Sequence, residues 1–136
     1  MTGLALARTA QSLIGVPFRL HGRDPATGLD CVGLLDAAMR LNGGHPVLPN
    51  GYTLRSLRCD GAETIAATCG FVPANGPSGP GDVLLVRSAP CQFHLLISAT
   101  TPGAFVHAHA GLRRVVLGQL RADWPVTSHW RLADAT

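Results

Sequence analysis

Cys31 is the residue whose type and position best suit nucleophilic chemistry. It stands between a loop rich in Gly and Pro, residues 15–29, and an apolar stretch that predicts an amphipathic helix. A cysteine at the first turn of a helix meets the positive end of the helix dipole and unpaired backbone N–H groups. Both favour the nucleophilic thiolate, and the N–H groups can also hold an oxyanion. Taken alone, however, a cysteine is more often a small buried apolar residue.

Histidines supply the candidate bases, and two of the six are placed to act together. His94 and His107 lie on predicted strands that flank the turn signal Thr101-Pro102-Gly103. Adjacent antiparallel strands can bring both side chains to one face. His94 would then accept the thiol proton and return it to the leaving amine, while His107 orients the His94 ring. A lone histidine is more often a structural residue.

Zinc is the competing chemistry for the same stretch. Cys91, His94, His107 and His109 are four ligands of the kind that zinc accepts. Cys91 and His94 differ in strand parity, which disfavours a shared site. A His-x-His metalloprotease also needs an aspartate where Leu120 stands. We therefore expect neither a metal nor a cofactor.

The elements that must position these residues divide the chain into two halves. Helices are predicted at Ala5–Ile14, at Cys31 to about Leu41 with Asp30 as N-cap, and at Asp60–Cys69 with Asp60 as cap. After a Pro- and Gly-rich loop at 73–81, the pattern changes to short strands at 82–86, 93–98, 105–110, 114–117 and 128–132. Helices followed by antiparallel strands predict an α+β fold.

Size and charge exclude several classes of protein. The 136 residues fit one domain, 1–136, and only 14% of them are charged. All 11 basic residues are arginines, scattered along the chain, which disfavours nucleic-acid binding despite the net charge of +3. No stretch resembles a signal peptide or a membrane span, so we expect no membrane association and synthesis in the cytoplasm. The four cysteines form no C-x-x-C pair, and disulfides are not expected there.

Several motifs together resemble the NlpC/P60 family of papain-like cell-wall cysteine peptidases. They are Pro17-Phe18, Gly22, residues 28–33 (Gly-Leu-Asp-Cys-Val-Gly), residues 80–84 (Pro-Gly-Asp-Val-Leu), residues 94–97 (His-Leu-Leu-Ile) and residues 106–108 (Val-His-Ala). The resemblance implies a papain-like fold with N-terminal helices packed on an antiparallel sheet. It places the catalytic residues at Cys31, His94 and His107. It also implies a substrate, the peptide stem of bacterial peptidoglycan, cut between γ-linked D-glutamate and a diamino acid.

Three positions depart from the usual family pattern near the expected substrate site. Phe18 stands for a tyrosine that could bind substrate or the oxyanion, and Val32 stands for a serine that helps to hold the amine of the stem peptide. Leu96 replaces a glycine, which could narrow the cleft. Asp30 is retained and could either cap the helix or meet a substrate ammonium. Asp30, Phe18 and Val32 are therefore the expected substrate-binding residues.

The chain is most similar to the short branch of the family found in phage-like gene clusters, including gene transfer agents. That resemblance implies assembly into a phage-like particle whose tail opens the cell wall for DNA delivery, with tail or baseplate proteins as partners. The alternative is a degenerate hydrolase that serves only as a structural component of a tail tip. Retention of Cys31, His94 and His107 argues against this alternative.

Overall fold

The helices and strands follow the predicted order in a computed structural model that describes residues 1–48, 59–90 and 92–133. The helices are α1 (Gly3–Ser12), α2 (Cys31–Leu41) and α3 (Cys59–Thr68). The strands are β1 (Arg23–Asp24), β2 (Gly28–Leu29), β3 (Phe71–Pro73), β4 (Val83–Ala89), β5 (Gln92–Ser98), β6 (Ala104–His109), β7 (Arg114–Gln119) and β8 (Val126–Leu132). The predicted α+β class is confirmed.

Six strands form one antiparallel sheet in the order β3-β8-β4-β5-β6-β7, while β1 and β2 form a small separate hairpin. The turn at 101–103 joins β5 to β6 as predicted, with Gly103 at φ +80°. Helix α2 packs against β5 and β6, and its buried face joins one large apolar core with the same face of the sheet. The N-terminus of α2 thereby faces the strands that carry both histidines.

The helix boundaries follow from their caps. Thr2 caps α1 by accepting a hydrogen bond from Ala5 N–H, so this helix begins two residues before the predicted start. Helix α2 has its predicted bounds. Helix α3 begins at Cys59, so the prediction of Asp60 as its cap is wrong, whereas Gly70 at φ +90° ends the helix region as expected. Residues 49–58 of the predicted irregular segment 45–58 lie outside the described part of the chain.

Tight packing of the 15–29 loop against α2 fixes the position of Cys31. A Cβ atom at Gly33 would overlap the carbonyl oxygen of Gly22, so the loop reaches the first turn of α2 only because residue 33 has no side chain. The loop is in turn joined to the edge of the sheet, where Phe18 N–H donates to the Arg113 carbonyl at 2.9 Å. The 15–29 loop therefore connects the start of α2 to the β6–β7 turn and fixes their relative position.

A second, smaller apolar cluster covers the other face of the sheet. It consists of Leu84, Val86, Leu96 and Phe105, with Trp124 packed against it. Trp124 precedes β8, in the segment that connects it to β7. This cluster supports an aromatic ring directly over the part of the sheet that carries the histidines.

Candidate active site

His94 and His107 are in direct contact. His94 Nε2 lies 2.9 Å from His107 Nδ1, and the two rings meet edge to face with centroids 5.1 Å apart. The predicted pairing of these residues across the β5–β6 hairpin is therefore present. The contact occupies Nε2 of His94 and leaves Nδ1 as the ring nitrogen that can face another group.

Cys31 and His94 line the same cleft, which has a volume of about 510 Å³ and opens to solvent. Cys31 is only 2% exposed and lies at the floor of this cleft. Pairing between β5 and β6 is confined to Ile97–Val106 and Ser98–Phe105, so the strands separate before they reach His94. The cleft lies in this opening. Cys31 approaches it from the side of the sheet covered by α2, whereas His94 and His107 are on the opposite face, with Leu96 and Phe105.

Asp30 acts as a cap and does not face the cleft. It is wholly buried, and its two carboxylate oxygens accept hydrogen bonds from the N–H groups of Gly33 and His21, both at 2.8 Å. These bonds satisfy donors at the start of α2 and in the preceding loop. Capping, one of the two roles expected for Asp30, is therefore present, and it is the backbone that the carboxylate contacts in this structure.

Phe18 and Val32, the other two residues expected to bind substrate, lie in different places. Phe18 is half-buried and lines the cleft beside Cys31, as expected. Val32 is 1% exposed and lines a separate apolar cavity between α2, α3 and the sheet, not the cleft, so its expected role in substrate binding stays a prediction. Consecutive helical residues project about 100° apart, which places Val32 on the core side when Cys31 faces the cleft.

Leu96 does not narrow the cleft. Its side chain is 1% exposed within the second cluster, on which Trp124 rests. The methyl groups of Leu96 fill space on the sheet face opposite α2 and pack in the cluster that contacts the indole ring of Trp124.

Burial determines the protonation of the cleft residues. It raises the pKa of the Cys31 thiol to about 12, although hydrogen bonding to the backbone of Leu95, Val32 and Cys31 itself lowers the pKa. Burial lowers the pKa of His94 to about 3, with further lowering by the charges of His107 and His109. It lowers the pKa of His107 to about 4, again assisted by His109. Desolvation of the buried Cys31 thiol thus opposes the thiolate that the helix N-terminus favours.

Trp124 and His109 are site residues that the sequence analysis did not place in the cleft. The Trp124 ring lies edge to face with both His94 and His107, at centroid distances of 5.7 and 6.0 Å. His109 lines the cleft with its ring centroid 5.7 Å from that of His107. The i, i+2 spacing of His107 and His109 was the signal for one of them. Trp124 had no periodic signal, since it lies in a connection between strands.

The described residues include no group of three or more His, Cys, Asp or Glu side chains arranged to hold a metal ion. Cys91, one of the four zinc ligands considered, lies outside the described residues. His109 Nδ1 accepts a hydrogen bond from Leu112 N–H at 3.0 Å, which leaves only its Nε2 for any other partner. No helix in the described part of the chain is long and apolar enough to cross a membrane.

Comparison with known proteins identifies the fold. No protein-family model and no curated protein matches the chain. Among solved structures, the NlpC/p60 domain of the peptidoglycan hydrolase SagA matches with a TM-score of 0.62 and 21% identity over 98% of this chain and 100% of that one. NlpC2 from Trichomonas vaginalis matches with a TM-score of 0.68 and 18% identity over 95% of this chain, which spans 45% of that protein.

A third solved structure is the P60 domain of an antigen from M. avium subspecies paratuberculosis. It matches with a TM-score of 0.58 and 20% identity over 94% of this chain and 91% of that one. The helix bearing Cys31 and the sheet bearing His94 and His107 thus belong to the papain-like fold of NlpC/P60 domains.

Proposed function

We propose that the protein is a cysteine endopeptidase that hydrolyses the peptide stems of bacterial peptidoglycan. The observation that carries the proposal is the convergence on one cleft of Cys31, at the N-terminus of α2, and His94, whose Nε2 is held by His107. A nucleophile, a base and a residue that orients the base are the three parts of this mechanism. The fold supports the substrate class, because it is shared with a domain of a peptidoglycan hydrolase.

Cys31 attacks the carbonyl carbon of the scissile amide while its proton moves to Nδ1 of His94. For Nδ1 to accept, His94 carries its hydrogen on Nε2 and donates it to Nδ1 of His107. The tetrahedral oxyanion is stabilised by backbone N–H groups at the first turn of α2. His94 then returns the proton to the departing amine, which leaves an acyl-enzyme that water hydrolyses to free the thiol.

The neutral resting state is compatible with this chemistry. Burial opposes a charge on Cys31 alone and on His94 alone. Proton transfer creates both charges at once in the same cleft, and their attraction there opposes the desolvation cost of each. The thiolate is thus formed in the step in which His94 takes the proton.

The setting we infer is a phage-like tail that opens the wall locally for DNA delivery. Its support is the resemblance of the motifs to the short phage-like branch of the family. Purified particles from the source organism should contain the chain, as detected by mass spectrometry, and its deletion should reduce DNA delivery. Particles that lack the chain would count against this setting without affecting the proposed reaction.

Digestion of purified peptidoglycan tests the proposed activity. Wild type should release stem-peptide fragments whose masses correspond to cleavage next to γ-linked glutamate, whereas Cys31→Ala and His94→Ala should release none. Circular dichroism should show that both variants remain folded. A folded wild type that releases no fragment at any substrate concentration would instead support the structural role in a tail tip.

A further inference from the structure

A further concavity lies along β6 and β7 and has a volume of about 880 Å³, including space open to solvent; we name it the β7 groove. It is lined by polar or basic side chains of His107, His109, Arg114, Gln119 and Arg121 and by Trp124, together with apolar residues of β7, Leu112 of the β6–β7 turn and Ile14 just after α1. His109 and Trp124 line both the groove and the Cys31 cleft. The cleft and the groove therefore adjoin at these two residues.

The groove presents hydrogen-bond donors on one face of the sheet. His109 and Arg114 are direct cross-strand partners, which brings their side chains together on the same face. Because His109 Nδ1 accepts from Leu112 N–H, the neutral ring carries its hydrogen on Nε2 and donates from there. The guanidinium of Arg114 adds up to five donors in a planar fork that matches a carboxylate.

The charge of the groove is not balanced by its own lining. Its lining residues include no acidic side chain. Arg121 is paired with Asp123 through contacts of 2.9 and 3.1 Å and stacks over Trp124. Arg114, in contrast, is exposed and forms no salt bridge with any acidic residue that the structure describes. A cation beside a donor, with no acid in the lining, favours an anionic ligand.

We propose that the β7 groove is a subsite in which Arg114 and His109 bind a carboxylate of the peptide substrate. The inference rests on the proposed function for the identity of the substrate, since peptide stems of peptidoglycan with γ-linked glutamate carry free carboxylates. Arg114 provides the charge and His109 the directed donor, and His109 also borders the cleft. The subsite selects acidic peptides over their amidated counterparts.

Binding to the Cys31→Ala variant tests the subsite separately from catalysis. Two stem tetrapeptides, one with free carboxylates and one with each carboxylate converted to a carboxamide, are titrated by calorimetry. The acidic peptide should bind about tenfold more tightly, which is the usual order for a charged hydrogen bond. Adding Arg114→Gln should abolish this preference, and Arg114→Lys should restore part of it.

Arg113→Gln is the matched control, because it removes the same charge from the adjacent residue, which does not line the groove. This variant should keep most of the preference for the acidic peptide. Equal binding of the two peptides, or equal effects of Arg113→Gln and Arg114→Gln, overturns the subsite. Turnover by wild type is measured in parallel. Hydrolysis without a carboxylate preference rejects the subsite alone, and a preference without hydrolysis rejects the proposed function alone.

Discussion

His94 Nε2 and His107 Nδ1 lie 2.9 Å apart across the two strands of one hairpin. The contact occupies Nε2 of His94, while His94 and Cys31 line one cleft. Trp124 lies roughly perpendicular to both rings, with centroid distances of 5.7 Å to His94 and 6.0 Å to His107. The two histidines are therefore joined by one direct contact, on which the roles proposed for them depend.

Replacement of His107 should reduce activity without removing the base. His107→Ala frees the His94 ring to rotate, and a misplaced catalytic group lowers kcat/KM by about 10²-fold. His107→Asn should recover part of the loss, because its amide oxygen can accept from His94 Nε2. Hydrolysis of a stem peptide measures both effects, and His94→Ala, which removes the base, sets the lower limit. Unchanged activity in His107→Ala would show that His107 does not orient the base.

Cys31 should be a thiol, not a thiolate, in the free protein at neutral pH. Burial raises its pKa from 9.0 to about 12, so deprotonation should occur only in strongly alkaline solution. The difference in absorbance at 240 nm between wild type and Cys31→Ser isolates this sulfur from the other cysteines. That difference should stay near zero from pH 6 to pH 9. A thiolate signal at pH 7 that is absent from Cys31→Ser would contradict the expectation.

Acid should destabilise the protein through its buried histidines. His94 and His107 have folded-state pKa values of about 3 and about 4, below the usual 6.5, so between these values the unfolded chain binds more protons. The contribution of these histidines to the free energy of unfolding is fully present above about pH 6.5. It falls as the pH decreases, by about 1.4 kcal/mol per pH unit for each histidine that titrates only on unfolding.

Urea denaturation at pH 7, 6 and 5 measures this dependence. Asp82 contributes little in that range, because its pKa is lowered from 3.8 by hydrogen bonding to Arg131, against the opposing effect of burial. Its stabilisation is lost only at still lower pH. His107→Asn should show a shallower slope than wild type between pH 6 and pH 5. Equal slopes would mean that His107 is protonated in the folded state.

Gly33→Ala should destabilise the fold and displace the nucleophile. The added Cβ overlaps the Gly22 carbonyl oxygen, which is backbone and cannot move without shifting the loop. Overpacking of this kind lowers the free energy of unfolding by about 1–3 kcal/mol. Gly79→Ala is the control, since no atom lies within 4 Å of the position of its Cβ. Thermal denaturation should separate the two variants, and similar melting temperatures would disprove the close contact.

The purified protein should carry no stoichiometric zinc, and chelators should leave its fold and activity intact. Elemental analysis and denaturation curves with and without EDTA measure this. About one tightly held zinc per chain, lost together with His109→Ala, would favour the metal mechanism over the cysteine mechanism.

The sequence was sufficient to predict the features that depend on neighbouring residues. The bounds of α2, its Asp30 cap and the hairpin turn at 101–103 depend on short-range rules: side-chain capping, helical periodicity and glycine in a tight turn. The contact of His94 with His107 also follows, because neighbouring strands of a hairpin are close in the sequence. The short β1–β2 hairpin and β3 were missed, since two or three residues carry no periodic pattern.

Only the tertiary structure decided which residues share the cleft and what charge they carry. Val32 faces the core, and the Asp30 carboxylate accepts hydrogen bonds from backbone N–H groups. Trp124 contacts the histidines from the connection between β7 and β8. Burial depends on the packing of distant segments, so the raised pKa of Cys31 and the lowered pKa values of His94 and His107 could not be read from the helix N-terminus alone. Residue types and local order are properties of short segments, whereas desolvation is a property of the whole packed chain.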